Sequence, residues 1–381
     1  MHPFKYLLFS LSLLLIHLPE ASAQYSKADS SILAIMKETP VMGLSVAVVK
    51  NNKVVFTNAY GYKNEQTREQ LSTSHLFRIA SISKSFTATA IMQLIEKKKV
   101  SLDDDISPLV GFIVRNPSFP EQPITLKMIL SHRSSINDSQ GYFSLDAINP
   151  AKNANWRKCY NSYAPDSGYQ YCNLNYNMAG AILERISGIR FDKYIQQNIL
   201  QPLSLFGGYN VDEFDNEQFA QIYDYNRDSA KFIFSSGAYA SRKKELEAYT
   251  LGYSTPIFSP TGGMKISAPD LAKYMMMHAN YGKYKGERII AKRSSRKMQT
   301  MYSEKEQYGL ALSKTSNLIE GKTLVGHTGS AYGLYSIMFF DPKEKFGIVV
   351  ITNGSDPAYE NGFNKVLRKV ANILYENIVI Q

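Results

Sequence analysis

The β-patterned runs of this chain lie near its two ends, and a helix-patterned block separates them. Leu44 to Val49 and Val54 to Asn58 are β-rich, and Lys50-Asn51-Asn52-Lys53 between them reads as a hairpin turn. Thr323 to His327, Tyr335 to Phe340 and Phe346 to Thr352 restore the pattern, with Asp341 to Lys345 as a second turn. From Ser85 to Glu96 the period changes, and Phe86, Ala90, Ile91, Leu94 and Ile95 recur at helix spacing. Helices are also expected over Ser31–Met36, Ile124–Ser131, Tyr176–Ile186, Asp270–Ala279 and from about Phe363 to Ile378. Strands so far apart along a chain bury themselves most economically in one antiparallel sheet built from both termini and flanked by the terminal helices. The expected fold class is therefore α/β, with a mostly helical subdomain inserted into the sheet. Residues 24–80 and 258–381 would form the sheet subdomain and 81–257 the helical one. A cleft where they meet is where a small-molecule site is expected.

Residues 1–23 have a different character. Lys5 precedes an apolar run from Leu7 to Leu18, and Ala21-Ser22-Ala23 supplies the small-x-small pattern of a signal-peptide cleavage site. The run is shorter than the roughly 20 apolar residues that cross a bilayer, so an export signal is expected rather than a membrane span. The mature chain would begin near Gln24 and work outside the cytoplasm, periplasmic or secreted. The formal charge of +10, from 43 Lys+Arg against 33 Asp+Glu, first suggests a nucleic-acid partner. Export redirects that expectation to wall polymers or anionic headgroups, with no nucleic-acid partner. Lys97-Lys98-Lys99 reads as a solvated helix end.

Three segments carry chemistry. In Arg78-Ile79-Ala80-Ser81-Ile82-Ser83-Lys84, Ser81 and Lys84 stand one turn apart at the opening of a helix, so the amine can reach the hydroxyl. In a partly buried cleft its pKa falls, and a neutral amine can take the hydroxyl proton. Ser241-Lys244 and Ser294-Lys297 repeat the spacing, but in basic stretches without that context. In the second segment Tyr171 and Asn173 flank Cys172, so an extended backbone points both to one side and the cysteine to the other. The third, Gly326-His327-Thr328-Gly329-Ser330, lies on a β-run whose glycines admit close approach of a substrate backbone.

In this order and on these elements, the three segments resemble the serine β-lactamase and D,D-peptidase superfamily, in the branch of class C β-lactamases, D-alanyl-D-alanine carboxypeptidases and related esterases. The resemblance runs from about Ile32 to Ile378. Leu130-Ser131-His132 is similar to the family's helix before a His-Thr-Ser-Gly turn, and Pro260-Thr261-Gly262-Gly263-Met264 to its Gly-Gly turn. It implies a β-lactamase/transpeptidase-like fold and an acyl-enzyme on Ser81, with Lys84 and Tyr171 sharing the proton work; which of them is the base stays open. It also implies substrate contacts from Asn173, His327, Thr328 and Gly329, and an oxyanion hole from the backbone N–H groups of Ser81 and Ser330.

Two departures bear on substrate. His327 stands where β-lactamases usually carry a lysine, and a histidine is charged only below about pH 6.5 unless perturbed. Arg133-Ser134-Ser135 stands where the family usually has Thr-Ser-Gly, so a positive φ there would strain Ser135. The expected function is that of an exported serine hydrolase cleaving D-alanyl or other D-amino-acid peptides, or related amides and esters. The alternatives are a β-lactamase, a small-ester hydrolase, or a penicillin- or wall-peptide-binding protein with little turnover. Cys159 and Cys172 could pair in an oxidising compartment, bracing the Tyr171–Asn173 segment by roughly 3 kcal/mol in the chain-entropy model; the alternative is two unpaired small hydrophobes. His75, His132, His278 and His327 show no ligand spacing, so no metal or cofactor is expected. The segment Trp156 to Tyr176, with Tyr160, Tyr163 and Tyr169, is expected to wall the pocket.

Overall fold

A computed structural model describes residues 20–380, and most of the expected export segment lies outside them. Among the described residues no helix is long and apolar enough to cross a membrane. Helix α1 (Glu20–Glu38) leads into strands β1 (Val41–Lys50) and β2 (Lys53–Gly61). Near the other end come β3 (Ser313–Thr315), β4 (Leu324–Ala331), β5 (Leu334–Asp341) and β6 (Phe346–Ser355). The six form one antiparallel sheet in the order β3-β4-β5-β6-β1-β2, so β1 pairs with β6 and the two ends of the chain meet in its middle.

Both faces of this sheet are covered, which is why its central strands are apolar almost throughout. On one face Leu44, Val46 and Val48 of β1, with Ile337, Phe339, Ile348 and Val350, pack on α1 and on α5 (Lys365–Leu374). The alternate residues Ala47, Val49, Met338, Phe340, Val349 and Ile351 turn the other way, toward α4 (Ala268–Ala279) and the helical block. The period of two along each strand produces this sorting. Ser267 caps α4 through its side chain and Asn364 caps α5. The last helix ends at Leu374 and continues as one wider turn to Val379, slightly past the expected Ile378.

Two helices position the site. Helix α2 (Ser83–Glu96) is buried along nearly its whole length, and α3 (Asn173–Ser187) starts three residues before the expected Tyr176. Glu184 anchors the far end of α3: it is fully buried and accepts from Phe191 N at 2.6 Å, Gly252 N at 2.7 Å and Thr255 Oγ1 at 2.6 Å. A small three-stranded sheet, with Lys265–Ile266 between Phe77–Arg78 and Gly207–Gly208, ties the chain ahead of α2 to the segment before α4.

Candidate functional site

A cleft of about 550 Å³ opens between β4, the turn before α2 and the start of α3, and Ser81, Tyr171, Asn173, His327, Thr328 and Ser330 all line it. Ser81 stands in a 3-10 turn, Ala80–Ile82, that runs directly into α2. The residue before it, Ala80, has φ +47, a left-handed conformation that costs an L-residue about 1 kcal/mol. The surroundings hold that bend. Ile79 N donates to Met264 O at 3.0 Å, and Ser336 Oγ donates to Ile79 O at 3.0 Å. Gly329 is the close approach that permits the arrangement, since a Cβ there would lie 2.3 Å from Ile79 O and 2.4 Å from Ser336 Oγ. Thr328 and Gly329 thus have separate places: one faces the cleft, and the other lets β4 come up against the serine turn.

Lys84 lies behind Ser81 and is fully buried. Its Nζ is 3.1 Å from Ser81 Oγ, 2.9 Å from Asn173 Oδ1 and 3.0 Å from Thr261 O. The last two atoms only accept hydrogen bonds. A neutral amine therefore directs both its hydrogens at them and its lone pair at the Ser81 hydroxyl. Burial favours that neutral form and pushes the Lys84 pKa down to about 7, against the opposing pull of Asp138. The Tyr171 ring centroid is 4.7 Å from Lys84 Nζ, and burial drives its phenol above the ordinary range, so it stays protonated.

Asp138 is the residue that sequence reasoning missed. Its carboxylate accepts from Asn173 N at 2.8 Å, Asn173 Nδ2 at 3.0 Å and Leu174 N at 2.9 Å. It therefore caps α3 and fixes the Asn173 amide with its oxygen toward Lys84 and Thr261, whose Oγ1 donates to it at 2.8 Å. Asn173 Nδ2 makes no second hydrogen bond among the described residues. Asp138 lies 35 residues ahead of the helix it caps, so the chain there carries no local signature of a cap. Asp138→Asn is expected to lower kcat/KM about tenfold or more by leaving buried donors unpaired. Removing the anion also lets the Lys84 pKa fall further, so the acid limb of the pH–rate profile moves to lower pH. A pH profile of the variant reads this directly; a lower kcat/KM with an unmoved limb refutes the coupling.

Both thiols are free and buried, so of the two readings of the cysteine pair the structure has the unpaired one. Cys172 Sγ donates to Asp138 Oδ1 at 3.1 Å and Cys159 Sγ to Ala147 O at 3.2 Å, so the two sulfurs serve different partners. The Tyr171–Asn173 segment is braced by hydrogen bonds instead. Cys172 N donates to His132 Nδ1 at 3.1 Å, and Gln170 N to His132 O at 2.9 Å. Ser135 adopts φ +61, the strained backbone that its departure from glycine implied, and its Oγ accepts from Asn116 Nδ2 at 2.8 Å. The aromatic wall is also corrected. Tyr142, Phe143 and Tyr332 line the cleft, whereas Tyr160 is buried and Tyr169 packs on His132 and Tyr308. Ser241 is exposed and Ser294 is buried, but neither lines the cleft.

His327 is buried and neutral. Its Nδ1 donates to Thr328 O at 2.5 Å, which leaves Nε2 to accept from Tyr308 Oη at 3.1 Å. Burial, and then the Lys84 charge, push its pKa down to about 4. The position therefore offers no cation at neutral pH. Among the described residues no group of His, Cys, Asp and Glu side chains could hold a metal ion.

A family model described as Beta-lactamase matches residues 28–372. The chain is 26% identical over 334 residues to Protein flp of Staphylococcus aureus (strain MRSA252), covering 85% of this chain and 62% of that protein. It therefore spans about three-fifths of that relative's length. Among solved structures, the octameric penicillin-binding protein homologue from Pyrococcus abyssi superposes with a TM-score of 0.70 at 28% identity, covering 87% of this chain and 73% of that one. D-Amino acid amidase from Ochrobactrum anthropi SV3, complexed with D-phenylalanine, gives 0.69 at 22% identity, covering 92% and 98%.

Proposed function

The chain belongs to the Beta-lactamase family, and from that premise we propose that it is an exported serine hydrolase that cleaves amides or esters through an acyl-enzyme on Ser81. The observation that carries this reading is the Lys84 amine, whose two obligate acceptors leave its lone pair facing the Ser81 hydroxyl. Ser81 Oγ attacks the substrate carbonyl while Lys84 takes its proton. The backbone N–H groups of Ser81 and Ser330 receive the developing oxyanion, each worth on the order of 3 kcal/mol. Tyr171 gives its phenolic proton to the leaving group and recovers one from the Lys84 ammonium. Water then enters along the same path and releases the acid. The cleft lies between a sheet subdomain of residues 24–80 and 258–381 and a helical one of 81–257.

The neutral His327 selects among substrates. Penicillins, cephalosporins and peptides ending in a free carboxylate all present that charge on the leaving-group side. An uncharged, desolvated partner there forfeits about 2–5 kcal/mol relative to a buried charge pair. N-Acylated D-alanyl and other D-amino-acid amides and esters, as in peptides, with uncharged leaving groups are the substrates this site favours. We predict that kcat/KM for a 4-nitrophenyl ester or an N-acetyl-D-alanyl anilide exceeds that for a chromogenic cephalosporin by at least about 30-fold. Comparable rates would make the protein a β-lactamase. A persistent Ser81 adduct without turnover would make it a binding protein.

A further inference from the structure

Arg78 stands three residues ahead of Ser81, on the strand Phe77–Arg78, directly across from Lys265. It is 8% exposed and lines the cleft. Its Nε donates to Gly262 O at 2.9 Å and its Nη1 to Ala238 O at 3.2 Å. Among the described residues Nη2 has no hydrogen-bond partner and no carboxylate pairs with the guanidinium. Nor does any Asp or Glu among them line the cleft. Its ionisable neighbours Arg242 and Lys265 are basic groups and supply no negative charge. A buried cation without a counterion costs several kcal/mol, and this one faces an open cleft.

Tyr332 adds a second observation. Its ring centroid lies 5.1 Å from Arg78 Cζ, within cation–π range. The ring is held there by a strained turn: Tyr332 has φ +59, and a Cβ on the following Gly333 would meet Tyr223 O at 2.2 Å. A bulky residue kept in left-handed backbone at a cleft mouth marks a constrained site.

Position on β4 gives the direction. Tyr332 follows His327 by five positions, just past the end of β4, roughly 16 Å along the strand direction. Tyr171 lies at the His327 end, with ring centroids 6.3 Å apart. In the mechanism above the leaving group receives its proton at that end, so the acyl chain runs toward Tyr332 and Arg78.

We infer that Arg78 binds a carboxylate on the acyl portion of the substrate, so that the enzyme prefers acidic acyl donors over uncharged or ammonium-bearing ones. The orientation rests on the acyl-enzyme reading. Three 4-nitrophenyl esters of matched length test it: the adipate half-ester, the hexanoate and the 6-aminohexanoate. In the wild-type protein kcat/KM is expected to fall in that order, with adipate about tenfold or more above hexanoate at low salt. Arg78→Gln is expected to bring the adipate-to-hexanoate ratio near one. Equal or reversed rates in the wild type, with hexanoate turned over normally, overturn the inference and leave the acyl-enzyme reading standing. If no ester is cleaved and Ser81 stays unmodified, the acyl-enzyme reading fails. Calorimetry of adipate monoamide with Ser81→Ala and with Ser81→Ala/Arg78→Gln then decides the Arg78 site by itself: weaker binding to the double variant supports it, and equal binding overturns it.

Discussion

Ser81→Ala is expected to lower kcat/KM on every ester or amide the protein cleaves by on the order of 10⁴-fold or more, the scale of losing a serine nucleophile outright. The expectation follows from position. Ser81 Oγ is the cleft-facing hydroxyl in contact with Lys84 Nζ, and the turn that carries it bends through an Ala80 in left-handed backbone. The neighbouring hydroxyls are committed elsewhere: Ser83 Oγ accepts from Met264 N, and Ser85 Oγ donates to Ile82 O. Substrate binding should survive the change, because the groups that line the cleft stay in place. A variant that retains even a tenth of the wild-type rate would assign the nucleophile elsewhere.

The second large effect belongs to Lys84. Lys84→Met keeps the four-atom stem of the side chain and removes the amine, and it should cost on the order of 10³-fold in kcat/KM, the range of a positioned general base. The wild-type pH profile supplies an independent reading. Lys84 takes protons only in its neutral form, and its pKa sits at about 7, depressed by burial. The amine is therefore ready above pH 7, and kcat/KM should fall tenfold per unit as pH drops below that value. His327, with a pKa of about 4, is already neutral across this window and contributes nothing to the limb. If the rate is instead flat down to pH 5, Lys84 is not the base.

Much of this site is legible in the amino-acid sequence. Ser81 and Lys84 follow from one helical turn, and Tyr171 and Asn173 from the alternation of an extended segment; the cleft brings all of them to His327. The sheet is legible because β1, β5 and β6 carry apolar residues on both faces at a period of two. What is not legible depends on contacts between segments far apart. Nothing near Asp138 announces the helix it caps, and nothing near Arg78 shows that its guanidinium lacks a carboxylate. The choice between a bridged and an unpaired Cys159 and Cys172 is not legible for a related reason. Spacing says how long a loop is, not where a sulfur points, and Cys172 Sγ points at Asp138. The run of tyrosines from 160 to 171 does not say which rings face the cleft. Tyr169 turns inward to His132, and Tyr332, at the tip of the β4–β5 hairpin, takes a place on the rim.

The central claim is a covalent intermediate on Ser81. The most direct test mixes the wild-type protein with 4-nitrophenyl hexanoate, quenches with acid within the first turnovers, and maps the intact protein and its peptides by mass spectrometry. The account predicts one added hexanoyl group, located on the peptide that contains Ser81 and absent from Ser81→Ala. Steady turnover with no adduct in the wild type, or an adduct on any other residue, would contradict it.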